Sequence, residues 1–198
     1  MADLVKAKEN LEARGYAVRL FPDKESAAKY LNEVIDGTSV GFGGSMTLDQ
    51  MGLFPSLGRH NTVFWHWKQN PADARASAAN AAVYLSSVNA LAETGEIVNI
   101  DGAGNRVAST LYGHQKVYLV ISRNKLAEDY ESALWRARNI AAPKNAQRLN
   151  RKTPCAVKAD RCYDCKSPER ICCGLVVLWR PMMGQDMEII LVDEDLGC

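Results

Sequence analysis

The stretch 116-KVYLVIS-122 decides the fold. It is nearly continuous in apolar and β-branched residues rather than alternating, so it reads as a strand buried on both faces, as in a parallel sheet covered by helices. The segments around it alternate in kind. Upstream, residues 83–88 and 97–100 are two further apolar runs, and residues 62–67 form another strand pattern. Between 67 and 83, Asn70-Pro71-Ala72-Asp73 opens a helix, with proline at its first position and an acid in its first turn. Nearer the start, helical spacing over residues 2–14 stops at Gly15, residues 16–21 read as a strand, and Asp23 caps a helix that runs to Ile35. The short strand 39–42 then enters the glycine-rich bend 41-GFGGSMT-47. Downstream, Asn124 starts the longest helix, with Tyr130, Leu134, Ala137, Ile140 and Ala141 as its inner stripe and a stop before Pro143. Residues 175–179 and 188–192 read as a terminal hairpin around 181–186. Strands alternating with helices predict an α/β fold with a mostly parallel sheet flanked by helices.

Composition bounds the function. The chain has 198 residues, is 47% hydrophobic and carries a net charge of +1, which suits one globular unit and gives no reason to expect nucleic acid as a partner. The composition shifts near residue 148, so residues 1–148 read as the α/β domain and 149–198 as a cysteine-rich segment and hairpin packed on it. No window approaches the ~20 apolar residues of a membrane helix. The opening MADLVKAKENLEARG is amphipathic and charged, unlike a secretion signal, and a cytoplasmic location is expected. The same helix, 2–14, is a candidate homodimer surface.

Three stretches carry a resemblance: 44-GGSMTLDQMGL-54, 89-NALAETGEIVNIDGAGNRVAS-109 and 124-NKLAEDYESALWRARNIAAPKNAQRL-149. In order along the chain, Ser45, Ala92-Glu93-Thr94-Gly95, Asp101-Gly102, Gly104-Asn105-Arg106 and Asn124-Lys125 resemble the LUD domain, the family of lactate-utilisation protein C. The resemblance implies a fold similar to the sugar-phosphate isomerase and CoA-transferase superfamily, with an active site at strand ends. It also implies a link to organic-acid (lactate) oxidation beside iron–sulfur proteins. The cysteine segment departs from the plain lactate-utilisation C pattern and resembles a separate subgroup.

Four candidate sites follow. In the bend, Gly43 and Gly44 with the hydroxyls of Ser45 and Thr47 suit a phosphate or carboxylate. Glu93 and Asp101 lie in loops flanking 97–100. The segment at Glu93 is similar to the glutamate-plus-glycine loop of CoA transferases, which implies a nucleophile or base at Glu93. Asn105, Arg106 and Lys125 are candidate clamps for a small carboxylate or phosphate.

The fourth site is Cys155, Cys162, Cys165 and Cys172, spaced C-x6-C-x2-C-x6-C and followed at once by Cys173. Four thiolates in so short a stretch suit a tetrahedral zinc ion or a [4Fe–4S] cluster, with reduced, metal-free thiols as the third reading. From Arg148 to Arg170 there are seven basic residues against three acids, cations that lower thiol pKa values and balance thiolate charge. Three functions compete: a redox accessory protein working with redox partners, a small-molecule enzyme of CoA-transferase-like fold, and a non-catalytic sensor.

Overall fold

A computed structural model describes residues 2–198. The chain runs α1 (Leu4–Ala13), β1 (Ala17–Phe21), α2 (Lys24–Val34), β2 (Ser39–Phe42), α3 (Met46–Gln50), α4 (Leu53–Leu57), β3 (Thr62–Phe64), α5 (Pro71–Ala79) and β4 (Val83–Ser87). It continues through β5 (Ala90–Ala92), β6 (Ile97–Asp101), α6 (Asn105–Leu111), β7 (Lys116–Ser122), β8 (Leu126–Ala127), α7 (Tyr130–Arg136), α8 (Ala142–Arg148), α9 (Pro154–Lys158), β9 (Gly174–Leu178) and β10 (Asp186–Val192). Six strands form a parallel sheet in the order β1-β10-β7-β4-β2-β3, and four more form a small second sheet, β8-β5-β6-β9.

The apolar run at 116–122 sits at the sheet centre as its composition requires. Val117, Leu119 and Ile121 enter one core with Leu11, Tyr16 and Tyr84, whereas Tyr118 and Val120 enter the opposite core with Phe42, Leu48 and Trp65. β10 repeats the pattern: Ile189 and Leu191 face the first core, Ile190 and Val192 the second. Its one inward acid, Glu188, is answered by the Tyr30 hydroxyl at 2.6 Å and by Lys116 Nζ at 3.0 Å.

Two readings of the sequence are corrected here. There is no terminal hairpin. β9 pairs antiparallel with β6, while β10 crosses to the main sheet and lies parallel between β1 and β7. The run MEIILV is apolar on both faces, and only the middle of the parallel sheet buries both faces. The last fifty residues therefore supply strands to both sheets.

The helix expected from Asn124 starts later. Leu126 and Ala127 first pair with Leu91 and Ala92, and Asp129 then caps α7 by accepting from Ser132 N–H at 2.7 Å. Nor does it stop at Pro143. A π turn over 137–141 resets the hydrogen-bond ladder so that α8 restarts at Ala142, and the proline falls in a first turn, where no donor is missed.

The central position of β10 has a measurable consequence. Ile190→Ala should lower unfolding free energy in urea by roughly 2–5 kcal/mol, the range for emptying a packed core site. Leu175→Ala, on the half-exposed face of β9, should change it by less than about 1 kcal/mol.

Candidate anion cleft and thiol cluster

The C-terminal ends of β2, β4, β7 and β10 converge on one cleft of about 620 Å³, lined among others by Gly44, Ser45, Ser87, Lys125 and Cys198. Strand ends are where open parallel sheets place ligands, since loops there diverge. Six cationic side chains line it (Arg75, Arg106, Lys125, Arg148, Arg151 and Arg170) against one acid, Asp101.

The bend after β2 builds one wall. Gly43 and Gly44 are required for closeness: a Cβ at Gly43 would meet Ser86 Oγ at 2.7 Å, and one at Gly44 would lie 3.0 Å from the Trp67 indole. Arg148 in turn stacks on that indole, 4.6 Å from a ring centroid. Ser45 caps α3 by accepting from Leu48 N–H. With only five residues, α3 adds little helix dipole at the bend.

Lys125 follows β7 and turns inward. Its Nζ donates to Thr47 Oγ1 at 2.7 Å and to Ser87 Oγ at 2.6 Å, and it is 3% exposed. An ammonium has three donors, so two hydroxyls leave one for a ligand. Burial brings its pKa down to about 7; the nearby Cys198 thiol raises it, and Arg136 and Arg106 lower it.

Arg106 lines the same cleft but is engaged as a tie. Its two terminal nitrogens donate to Ser87 O, Asn99 Oδ1, Asn89 Oδ1 and Ile100 O, at 2.6–3.0 Å. It thereby locks the end of β4 to β6, and adds positive potential rather than a free two-pronged clamp. Asp101 accepts from the backbone N–H groups of Gly102, Arg106 and Val107, so its carboxylate holds the start of α6. Asn105 is on the cleft wall beside it.

Glu93 is not brought to the cleft. Its carboxylate pairs with Lys6 at 2.6 Å and accepts from Asp3 N–H at 2.7 Å, and its backbone O accepts from Asn10. Lys6 and the Asp3 N–H hold the carboxyl below its ordinary range. The strand β5 that precedes Glu93 belongs to the second sheet, which turns the loop toward α1. Cleft residues that the sequence reading did not assign to an anion site include Arg75, Ser87, Arg148, Arg151, Arg170 and Cys198. For Arg148, Arg151 and Arg170 the basic run at 148–170 was the signal, and it lines the cleft as well as flanking the thiols.

The cysteine segment closes the cleft's far side, with Arg170, Ile171 and Cys173 on the wall. All six cysteines are free. Cys155, on α9, is buried against Ala146, Tyr163 and Ile171. Cys162 and Cys172 line a second cavity of about 350 Å³ that shares Arg170 and Cys173 with the first. Arg170 joins the turns, donating to Cys165 O at 2.8 Å and Cys172 O at 2.9 Å. Burial pushes the Cys172 thiol up, Arg170 pulls it down, and Cys162, Cys155 and Cys165 push it further up, so the four thiols share one electrostatic neighbourhood. Among the described residues, no three His, Cys, Asp or Glu side chains are gathered to grip a single ion.

The LUD domain model matches residues 4–192. A DUF162 family protein from Deinococcus radiodurans, at 12% identity, overlaps 96% of this chain and 95% of its own with a TM-score of 0.56, a likeness of fold. Ribose 5-phosphate isomerases from Neisseria gonorrhoeae and Plasmodium falciparum each overlap 53% of this chain, and 53% and 52% of their own, at 15% identity and a TM-score of 0.34. Those two overlaps are too loose to bear on function. No curated protein matches the chain significantly.

The placement of Glu93 is open to test. Its carboxyl is stabilised in the fold, so that stability is present above its unfolded pKa and is lost as pH falls through the lower folded value. Glu93→Gln should therefore lower Tm at pH 7, lose that deficit in acid, and leave anion binding in the cleft unchanged. A collapse of anion binding with Tm intact would return Glu93 to the site.

Proposed function

This chain belongs to the LUD domain family, and on that premise we propose that its strand-end cleft binds a compact carboxylate or phosphate, in keeping with a role in organic-acid utilisation. The observation that carries the reading is Lys125: a buried amine, fixed by two hydroxyls, in a cleft with six cations and one acid. Surrounding arginines supply attraction at range, and Lys125 supplies the short contact. With a pKa of about 7 it also suits proton transfer, since a general acid–base works best near the ambient pH. A 2-hydroxy or 2-oxo acid would place its carboxylate among the arginines and its hydroxyl or carbonyl oxygen near Nζ.

A second reading, a redox accessory to lactate oxidation, is favoured by a separate observation. The thiol-bearing segment forms part of the cleft wall through Arg170, Ile171 and Cys173. Six free thiols also accord with a reducing, cytoplasmic setting. No helix is long and apolar enough to cross a membrane among the described residues.

Sulfate is the cleanest probe of the cleft, because its charge is constant from pH 6 to 9. Its affinity by calorimetry should fall as pH rises through about 7, where the free Lys125 loses its proton. Lys125→Met should weaken sulfate by at least tenfold at pH 6 and flatten the pH profile. Equal affinity in the two proteins across that range would reject the cleft as the anion site. Lactate, pyruvate and phosphate tested next would rank the substrate class, and product formation would separate an enzyme from a sensor.

A further inference from the structure

We propose that the cleft seats an acid with an anionic group at each end, one head on Lys125 and the other on Arg148. The proposal rests on the anion-cleft reading and deepens it, because two seats call for a ligand longer than a three-carbon acid.

Room is the first argument. A cleft of about 620 Å³ is in the range that encloses drug-sized molecules. A three-carbon acid fills on the order of 100 Å³, the share of about three waters in the liquid. Lactate or pyruvate on Lys125 alone would leave most of the cleft to solvent.

The cations stand at two depths. Lys125, 3% exposed, is at the floor, and Arg148 is at the mouth, exposed in the last turn of α8. One wall joins them. Thr47 accepts from Lys125 Nζ, and Gly44, three residues earlier, packs on the Trp67 indole that carries Arg148. Three residues of chain extend at most about 10 Å, so a short molecule laid along the bend spans the two.

Arg148 is set to hold a second head. Its Nε and Nη2 both donate to Asn145 Oδ1, at 3.1 and 2.8 Å, and its guanidinium lies over Trp67. Trp67 is stacked in turn on the fully buried Trp65, so the platform is rooted in the core. A guanidinium has five N–H donors, and the two spent on Asn145 leave three, in a fork fixed before any ligand arrives. Arg106 and Arg170 differ: the first is committed to four protein oxygens, the second to two carbonyls and Asp164. Arg75 adds charge at the same end. Burial lowers the His66 pKa and the charge of Arg75 lowers it further, and the His66 ring lies edge-on to Trp67, 6.2 Å between centroids. Once one head is seated, the tether makes binding of the other intramolecular, so two modest contacts combine into a tight one.

Two matched pairs of acids test this by calorimetry on the full chain at pH 7 and constant ionic strength. L-Malate is L-lactate with a second carboxylate, and 3-phosphoglycerate is glycerate with a phosphate. At least one two-headed acid should bind tenfold or more tighter than its one-headed parent, and the larger gain names the class of the outer group. Arg148→Met, which keeps an apolar cover on Trp67, should weaken the two-headed acid at least tenfold and its parent less than threefold, with circular dichroism unchanged. Arg59→Met removes an exposed cation that does not line the cleft and should alter neither, which separates a seat from a loss of net charge. Equal affinities within both pairs overturn the proposal, and so does a gain that survives Arg148→Met or Lys125→Met. Sulfate measured alongside keeps the two readings apart. Lys125-dependent sulfate binding with no gain in either pair defeats only this inference, whereas sulfate binding indifferent to Lys125 defeats the cleft reading itself.

Discussion

The pairing of β10 with β7 organises the molecule. Seven consecutive residues of each strand are in parallel register, from Asp186 with Lys116 to Val192 with Ser122. Both strands bury both faces, so neither tolerates solvent on either side. A chain that enters this position late must cross from the second sheet to the first after β9, and must leave β10 at the strand ends. The residues after β10 therefore pass over the cleft, where Leu196 O accepts from Ser122 and Thr47 and Gly197 N–H donates to Gln50. The same crossing holds the cysteine segment between α8 and β9, against the cleft's open side.

What was legible in the sequence was whatever a single segment states by itself. The run at 116–122 has one physical solution, and the bend at 41–47 has one reason for paired glycines, although that reason proved to be packing against Ser86 and Trp67 rather than unusual φ. What was not legible depended on partners distant in the chain. MEIILV fits a hairpin edge or a sheet centre equally until β1 and β7 are known to leave a gap. Pro143 is a stop only if the helix ladder is regular, and a π turn removes that premise. Arg106 looks like a substrate clamp until four oxygens from β4, β6 and the turn after β4 are found around it. Glu93 is the converse case: its motif points to the cleft, while its position in the second sheet turns it toward α1.

Lys125 is costly to retain as structure alone. Burying an ammonium among hydroxyls, with Arg106 and Arg136 nearby and no carboxylate paired with it among the described residues, is unfavourable relative to a methionine of similar length. Thr47 and Ser87 recover part of that penalty through two hydrogen bonds, and the lowered pKa recovers more by letting the amine go neutral. An anion arriving in the cleft would remove the remainder. A buried amine whose pKa is lowered by desolvation, on the wall of a cleft, is the mark of a candidate site.

Arg170 joins the cleft to the cysteine segment. It lines both cavities, holds the carbonyls of Cys165 and Cys172, and pairs with Asp164 at 3.0 Å, so its guanidinium is fixed by the conformation of the knuckle. The cysteine-bearing turns thereby fix the place of one of the six cations that line the cleft. Through this one side chain the conformation of the cysteine-bearing turns and the charge on the cleft wall are set together.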